Sequence, residues 1–338
     1  MEQESDRPNI RNEQVRRNID VHVHLAALPE GDNGCYISPR MLRSPQFRAL
    51  FWGLGLDLRR PPIANATYVD RLVSQLDHSE RVGRAVLLGM DGVYDEQGNL
   101  DLAATDFLIS NRYVLDVAKR HLDYFLAGVS INPQREDAVE ELERCIEAGA
   151  VLVKVLPNTQ RFDPSDRRYL PFYRALAKHR LPLLSHVGFE FSLIGKDQSA
   201  GDPRRLQVPL DEGVCVIAAH SCSFGLFFPE PYFKVLLEFT RRYPHFYADT
   251  SALTLPNRVR TLFLLRRHPE LHARLIFGTD YPLPVFSYPA LGRGYTRARR
   301  ASSSFDRQAV VLETLGIQYR DLSSLTKMCQ EIVKVPGQ

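Results

Sequence analysis

Eight short runs of apolar and β-branched residues recur along the chain, and longer segments of mixed polarity separate them. Strands buried on both faces, as in parallel sheets, read as nearly continuous apolar runs of this length. The pattern therefore predicts eight buried parallel strands. Their predicted ranges are residues 18–25, 84–90, 125–131, 151–157, 181–188, 214–220, 246–253 and 275–282.

Most of the segments between these runs have the spacing of amphipathic helices. The clearest are residues 101–121, 135–150, 169–180 and 231–243. Strands that alternate with helices predict an α/β fold, specifically a (β/α)8 TIM barrel. The alternative is an open doubly wound sheet. Its dinucleotide-binding form expects a glycine-rich turn after the first strand, and the sequence HLAALPEG at that point lacks one.

Two irregular segments interrupt the alternation. Residues 26–83 are too long for one crossover, so we expect an insertion that caps the barrel mouth within a single domain spanning residues 1–338. The aromatic sequence FWGLG around Trp52, the only tryptophan, suggests an aromatic cavity there. After the eighth strand, residues 283–304 carry several arginines, which we interpret as a solvated loop rather than a contact to an anionic substrate. These are Arg293, Arg297, Arg299 and Arg300.

Composition narrows the class of protein. A chain of 338 residues fits one α/β barrel, and a formal net charge of +3 does not favour nucleic acid or an anionic membrane as partner. No apolar run approaches the ~18 residues that span a bilayer, and the polar N-terminus shows no secretion signal. The five cysteines include no CxxC pair, which is typical of reduced cytoplasmic proteins. We expect a cytoplasmic protein with a small-molecule substrate, and barrels of this kind often form homodimers.

The first predicted strand, NIDVHVHL, carries two histidines. In a regular strand His22 and His24 share one face, with Asp20, while Val21 and Val23 point to the other. Burying two imidazoles side by side is costly unless something binds them, and a divalent cation is the commonest such ligand. The alternative is a pair of hydrogen-bonded core histidines.

Polar residues also stand at the ends of the later strands. His186, His220 and Asp280 end the fifth, sixth and eighth strands, while Lys154 and Asp249 lie in the fourth and seventh. The carboxyl ends of barrel strands meet at one mouth, where active sites form. His22, His24, His186 and Asp280 offer three imidazoles and one carboxylate. Such a set suits zinc, and also manganese, iron or cobalt. The sequence therefore predicts a metal site, with Cys222 as a small buried side chain rather than a ligand.

Here the sequence resembles the amidohydrolase superfamily, specifically the amidohydrolase 2 group, which includes aminocarboxymuconate-semialdehyde decarboxylase and related hydrolases. The resemblance extends from residue 18 to about residue 285. It implies that His22, His24, His186 and Asp280 bind a metal and that His220 is catalytic, polarising a substrate oxygen or assisting proton transfer. The motifs are DVHVHL, the block from VKVLPNTQRFDP to LLSHVG, AAHSCSFG, FYADTSAL and RLIFGTDYP.

The number of metal ions depends on Lys154. Some amidohydrolases hold two ions through a carboxylated lysine on the fourth strand, and His220 would then bind the second ion. We prefer one ion, with Lys154 as a cation at the pocket mouth that faces a substrate carboxylate. The alternative is that Lys154 points outward, between the barrel and the helices.

Three acidic residues are candidates for supporting roles. Asp249 orients a ligand or His220, or bonds to backbone at a strand end. Asp20 is an acceptor behind the ligands, or it caps a turn. Glu190 reaches substrate or only water. The remaining histidines are predicted to lie at the surface, on helices or helix ends: His121, His179, His245, His268 and His272.

Three functions are consistent with these residues. The leading hypothesis is metal-dependent hydrolysis, in which Asp280 deprotonates water that attacks a carbonyl and His220 stabilises the oxyanion or donates a proton. The second is non-oxidative decarboxylation of an aromatic or unsaturated acid, which a carboxylate-binding arginine in the cap would favour. The cap candidates are Arg40, Arg59 and Arg60. The third is a non-catalytic metal-binding barrel. A structural metal site normally has four ligands, so this hypothesis gives no role to His220, the fifth polar residue.

Overall fold

The computed structural model describes residues 18–193, 197–227 and 229–320. In chain order the strands of these residues are β1 (Asn18–His24), β2 (Tyr36–Ile37), β3 (Val82–Leu88), β4 (Phe107–Leu108), β5 (Phe125–Ser130), β6 (Ala150–Val155), β7 (Leu183–Ser185), β8 (Val216–Ala218), β9 (Phe246–Asp249) and β10 (Leu275–Ile276). The helices are α1 (Pro39–Arg43), α2 (Pro45–Gly53), α3 (Pro61–Asp77), α4 (Asn111–Arg120), α5 (Ala138–Glu147), α6 (Pro157–Gln160), α7 (Leu170–His179), α8 (Gln207–Asp211), α9 (Phe233–Arg242), α10 (Val259–Arg267), α11 (Gly292–Arg299) and α12 (Ser304–Thr314).

Short 3-10 helices join several of these elements. They are Arg167–Tyr169, Gln198–Gly201, Pro203–Leu206, Ala219–Cys222, Pro269–Arg274 and Tyr288–Ala290. Of these, Ala219–Cys222 follows β8 directly and carries His220, so it belongs to the candidate site.

Eight of the strands form one parallel sheet, in the order β1-β3-β5-β6-β7-β8-β9-β10. Backbone bonds join the segment that follows β10 to β1: Phe277 O accepts from Val21 N at 3.1 Å, and Tyr281 O accepts from His24 N at 2.8 Å. These bonds close the sheet into a barrel with helices between the strands. The predicted fold class and all eight predicted strands are confirmed. The regular part of the last strand is only two residues long because the chain then turns into the polar mouth.

The interior of the barrel below the mouth is apolar. Side chains from the barrel strands pack there as one buried cluster, separate from the larger cluster between the sheet and the helices. Alternate residues of a strand share a face, so the members recur at intervals of two, as in Val86 and Leu88 of β3. The other members are Val21, Leu152, Leu184, Cys215, Ile217, Ala219, Tyr247 and Ile276.

The first strand is not regular, which corrects one prediction. Its pairing with β3 shifts register between Asp20 and Val23. Because of this bulge, Val21 packs in the barrel interior although His22 and His24 also face inward, and only Val23 joins the outer cluster. Asp20 does not accompany the imidazoles. Its carboxylate accepts from the backbone N–H of His22 at 2.8 Å and of Thr279 at 3.2 Å.

The insertion between the first two barrel strands contains β2 and α1 to α3. Met41 of α1 and Phe47, Leu50 and Phe51 of α2 line the cavity above the site, so this segment forms part of the cavity wall. Trp52 is 84% exposed and lies outside the cavity. Strand β2 pairs antiparallel with β4, a contact that the sequence did not predict.

Several smaller predictions also differ from the structure. The helix predicted over residues 101–121 begins only at Asn111, because the Ser110 side chain caps it by accepting from Tyr113 N. His272 is buried, not superficial, and its Nε2 bonds to Leu265 O at 3.0 Å. His179 is exposed, as predicted, and the other three are half-buried: His121, His245 and His268.

No helix in the described part of the chain is long and apolar enough to cross a membrane. The segment 1–17, for which we predict no secretion signal, lies outside the described residues, as does Cys329. The other four cysteines are buried, and none of them forms a disulfide bond within the described residues. The single-domain organisation, the cytoplasmic location and the homodimer stay predictions.

Candidate metal centre and substrate cavity

Three of the predicted ligands converge at the barrel mouth. His24 Nε2 lies 3.1 Å and His22 Nε2 3.4 Å from the same oxygen, Asp280 Oδ1. The ligating atoms of the three residues all lie within 4.8 Å of one another. Strand β1 supplies both histidines and the segment after β10 supplies the aspartate. Barrel closure therefore brings together residues that are far apart in the chain.

A hydrogen-bond network behind these ligands determines which imidazole nitrogen carries the proton. His22 Nδ1 lies 2.7 Å from Asp249 Oδ2, and a carboxylate only accepts, so Nδ1 carries the proton and Nε2 a lone pair. The Ser251 hydroxyl donates to Asp249 Oδ1 at 2.5 Å and therefore accepts from His220 Nδ1 at 2.8 Å. Asp249 thus orients a predicted ligand and, through Ser251, the predicted catalytic histidine, as expected for metal sites.

His186 is connected to this network but stands apart from the other ligands. Because His220 Nδ1 donates, its Nε2 accepts from His186 Nδ1 at 3.2 Å. His186 Nε2 is then a buried lone pair without a hydrogen-bond partner, 3.7 Å from Glu190 Oε2. Among the described residues, neither of the two groups with metal-ligand spacing includes His186. The structure therefore assembles three of the four predicted ligands and leaves the fourth beside them.

The surroundings favour the neutral forms of three imidazoles and the ionised form of Asp280. Burial lowers the pKa of His22, and it lowers the pKa of His186 and His220 well below the usual histidine value. Burial opposes ionisation of Asp280, but the histidines around it hold its pKa well below the usual range. Neutral imidazoles and a carboxylate are the protonation states that metal binding requires.

The backbone that presents the site is held in uncommon conformations. His220, Ser221 and Cys222 are consecutive residues with φ of 57°, 47° and 55°, and Asp280 has φ of 68°. Residues other than glycine rarely adopt positive φ, and such strain persists where surrounding bonds enforce it. Asp249 supplies these bonds by accepting from His220 N at 2.8 Å and, through its backbone oxygen, from the Ser221 hydroxyl at 2.6 Å.

Lys154 points into the barrel, which contradicts the alternative that it faces the helices. It is fully buried below the cavity rather than at its mouth, and its ammonium donates to His22 Nε2 at 3.2 Å. Burial lowers its pKa to about 8. A cation already interacts with the lone pair of His22, so this position suits positive charge.

Asp20 and Glu190 occupy supporting positions. Burial raises the pKa of Asp20 to about 8, and its carboxylate holds backbone near the barrel closure. Glu190 is buried beside His186 and lines the cavity, which favours the contact with substrate over exposure to water. Its Oε1 accepts from the backbone of Ser192 and Leu193.

The donor set fits a divalent cation. The buried lone pair of His186 Nε2 has no donor and faces a carboxylate oxygen of Glu190, while that of His22 Nε2 already meets the ammonium of Lys154. Groups that only accept repel one another unless a cation lies between them. Nitrogen and oxygen donors without a thiolate suit zinc and also manganese, iron or cobalt. Cys222 is fully buried, as predicted.

A cavity of ≈ 550 Å3 lies directly above these residues. Its walls are largely apolar and aromatic, and they come from α1, α2 and the loops that follow the strands. The cap arginines do not line it: Arg40 pairs with Asp106, while Arg59 and Arg60 are exposed beside Asp57. The arginines after β10 are exposed, as predicted, but the prediction of a loop was wrong: they lie on or beside helix α11.

Two residues of the site were not predicted from the sequence. Ser251 contacts the Nδ1 atoms of both His22 and His220. Its position two residues beyond Asp249 in DTS was the available signal, because it shares that strand face. Arg258 lines the cavity although it is only 4% exposed, and it lies too far past its strand for the alternation to indicate it.

Solved structures share this architecture at low identity. An uncharacterised TIM-barrel protein from Bordetella bronchiseptica is 17% identical with a TM-score of 0.60, covering 93% of this chain and 99% of that one. A probable 2-pyrone-4,6-dicarboxylic acid hydrolase from Acinetobacter baumannii is 14% identical with a TM-score of 0.52, covering 89% and 99%. A 2,6-dihydroxybenzoate decarboxylase from Rhizobium is 16% identical with a TM-score of 0.52, covering 92% and 99%.

These likenesses show the TIM-barrel fold alone. No curated protein compared with the sequence matches it. The family model described as Amidohydrolase, Amidohydro_2, matches residues 19–310, which include every predicted ligand. The chain therefore belongs to the amidohydrolase 2 family.

Proposed function

We propose that this protein is a metal-dependent hydrolase that cleaves a carbonyl-type bond in a small molecule. The observation that carries the proposal is the convergence of His22 Nε2, His24 Nε2 and Asp280 Oδ1 below a largely apolar cavity. His186 is the fourth ligand we propose. We propose one divalent ion, with zinc as the preferred metal and manganese, iron or cobalt as alternatives. With one ion, Lys154 needs no carboxyl group, and its ammonium gives up the bond to His22 Nε2 when that nitrogen binds the ion.

The chain orients these groups before any ligand enters. Asp249 holds the ring of His22, and Ser251 holds the ring of His220. A divalent ion bound here would polarise a substrate carbonyl and make water more acidic. The apolar walls lower the local dielectric constant, which strengthens each electrostatic interaction near them.

Two groups can take the proton of the attacking water. Asp280 Oδ2 is one, because the closest histidine contacts involve Oδ1. His220 Nε2 is the other: its lone pair accepts only a long bond of 3.2 Å from His186 Nδ1, and it can exchange that bond for one from the water. The pKa of each group lies well below its ordinary value, but an imidazole starts from a higher ordinary pKa than a carboxylate, so we assign the first proton transfer to His220. Protonated His220 then stabilises the developing oxyanion and returns the proton to the leaving group.

Decarboxylation of an aromatic or unsaturated acid is the second candidate. One observation favours it: the apolar cavity contains a buried guanidinium, Arg258, although no cap arginine reaches it. The same ligands would serve both reactions. A non-catalytic barrel is disfavoured, because the strained His220 backbone has no structural purpose that we can identify.

The first test is metal content. Protein purified without added metal should contain about one equivalent of a divalent ion by elemental analysis, and a chelator should remove both the ion and the activity. Two equivalents would instead require a carboxylated Lys154. Protein that never binds zinc or manganese when titrated with them would defeat the proposal.

The second test separates the reactions. Phenyl acetate and dihydrocoumarin serve as ester and lactone probes in 18O-labelled water, and 2,6-dihydroxybenzoate serves as a carboxylic acid probe. Hydrolysis places 18O in the acid product and releases no CO2. Release of CO2 without 18O incorporation would replace hydrolysis by decarboxylation at the same site.

A further inference from the structure

Arg258 is held in the cavity wall by the backbone of two loops. Its two terminal nitrogens donate to Ser223 O at 3.2 Å and to Phe189 O at 2.9 Å, which lie in the loops after β8 and β7. Gly225, with φ of +81°, makes room for it, because a Cβ there would lie 3.3 Å from Arg258 Cζ. The guanidinium is therefore fixed in place before any ligand arrives.

The charge of Arg258 has no direct partner in the described part of the chain. Its two hydrogen bonds go to neutral carbonyl groups, and no carboxylate forms an ion pair with it. Asp280, Glu190 and Glu230 favour the charge only from a distance. A buried cation is costly unless it is paired, and a metal bound to Asp280 would weaken the most important of these compensations.

The rest of the cavity wall indicates what kind of anionic ligand would fit beside Arg258. Arg258 is the only lysine or arginine among the described residues that line the cavity, and the lining outside the metal site is largely apolar, with a few polar residues such as Glu190 and Asn257. The aromatic members are Phe47, Phe51, Phe107, Phe189, Phe191 and Phe227. Such walls favour an apolar body, while the planar fork of arginine matches the two oxygens of a carboxylate.

We propose that Arg258 is the specificity-determining residue of this site and that the substrate is an apolar monocarboxylate whose carboxylate it binds. The inference rests on the proposed function for the location of the reacting bond. It does not depend on which reaction follows. Arg258 positions the acid by its N–H groups that the two carbonyls do not occupy, and the aromatic wall holds the apolar body.

A matched pair of probes tests this assignment. 3-Phenylpropanoate and neutral 3-phenylpropanamide have nearly the same shape, and calorimetry measures the affinity of each for the full chain. Wild-type protein should bind the acid about 10-fold or more tightly than the amide, because charged hydrogen bonds are the strong ones. R258M should abolish this preference. R258K keeps the charge without the fork and should lower the preference severalfold.

The control is R205M. Arg205 also joins loops, by donating to Ser199 O at 3.1 Å and pairing with Asp163, but it does not line the cavity. R205M should keep the wild-type preference for the acid. If R258M fails to fold by circular dichroism, R258K decides: an unchanged preference in R258K overturns the assignment.

Metal removal distinguishes this inference from the proposed function. The preference for the acid should survive chelator treatment, because Arg258 needs no metal to bind a carboxylate. A preference that disappears with the metal and persists in R258M shows that the acid binds the ion, and it refutes the role of Arg258. Protein that binds no metal but keeps an Arg258-dependent preference refutes the proposed function alone.

Discussion

The interior of this barrel has two layers that are built on the same strands. The lower layer is apolar and includes Leu152, Leu184 and Tyr247. Two residues further along these strands, Lys154, His186 and Asp249 form part of the upper layer, which is equally buried and almost entirely polar. A step of two residues keeps the same face, so only the chemistry changes.

The difference shows that burial alone does not decide what a barrel interior does. The lower layer gains stability from the apolar surface it removes from water. The upper layer costs stability, because it removes charges from water, and its groups are oriented by one another through Asp249 and Ser251. Mutations in the two layers should therefore have opposite signatures: loss of stability in the lower layer, and loss of metal affinity in the upper layer.

Adjacent residues of β1 provide the sharpest contrast. H22A removes a proposed ligand, so zinc affinity should fall by more than about 100-fold, the upper range for partners that only support a ligand. V21A, one residue earlier in the apolar layer, should keep one metal equivalent. Elemental analysis and chelator competition measure both. H22A protein that folds and retains its metal would contradict the assignment of the upper layer as the metal site, because His22 would then be an ordinary packed residue.

The lower layer is tested by L184A. Leu184 is fully buried, and truncating such a side chain costs about 2–5 kcal/mol of unfolding free energy. Urea unfolding of chelator-treated protein measures this loss, and metal stoichiometry below the transition should be unchanged. H186A, two residues along the same face, should lose less stability but weaken metal binding. An equal loss of stability in both variants would erase the distinction between the layers.

The barrel could be predicted from the sequence because its signal is repeated. Eight apolar runs with helices between them leave few alternatives, and His22, His220 and Asp280 were identified because strand ends meet at one mouth. The bulge in β1 could not be predicted, since one extra residue leaves the alternation of Asp20 to His24 intact. Ends of short strands such as β10 were overestimated, because apolar residues continue beyond the ladder.

The site was predicted less completely than the fold. His186 carries the expected residue type at the expected strand end, yet it bonds to His220 rather than joining the other ligands. Arg258 could not be found from periodicity, because loop conformation decides which of many arginines enters the cavity. The cap arginines had the same residue type and an equally plausible location, but acidic neighbours pair with them outside the cavity.

Asp249 belongs to the upper layer, and D249N tests how strongly it supports the other residues there. The amide keeps an acceptor for His22 Nδ1 but loses the charge, so zinc affinity should fall about 10- to 100-fold. Competition with a chelator at constant pH measures the change. S251A, which leaves the bond between Asp249 and His22 intact, should weaken zinc less than D249N does. Equal effects would mean that the hydroxyl, not the carboxylate, orients the ligand.

The last comparison concerns Asp20, whose carboxylate is as buried as that of Asp249 but has the opposite pKa shift. Burial raises the pKa of Asp20 to about 8, while its ordinary value of 3.8 applies to the unfolded chain. Between these values the folded state holds a proton that the unfolded state has released. Rising pH therefore favours unfolding, by up to about 1.4 kcal/mol per pH unit.

D20N removes this titration, so its stability relative to wild type should improve by about 1 kcal/mol for each pH unit between pH 5 and 7.5. Urea unfolding of chelator-treated protein at several pH values measures the difference. D249N is the matched control: the pKa of Asp249 is held below its ordinary value, so it stays ionised in both states and its difference from wild type should not change with pH in this range. A flat difference for D20N as well would mean that the backbone N–H groups of His22 and Thr279 keep Asp20 ionised, and that both aspartates belong to the charged layer.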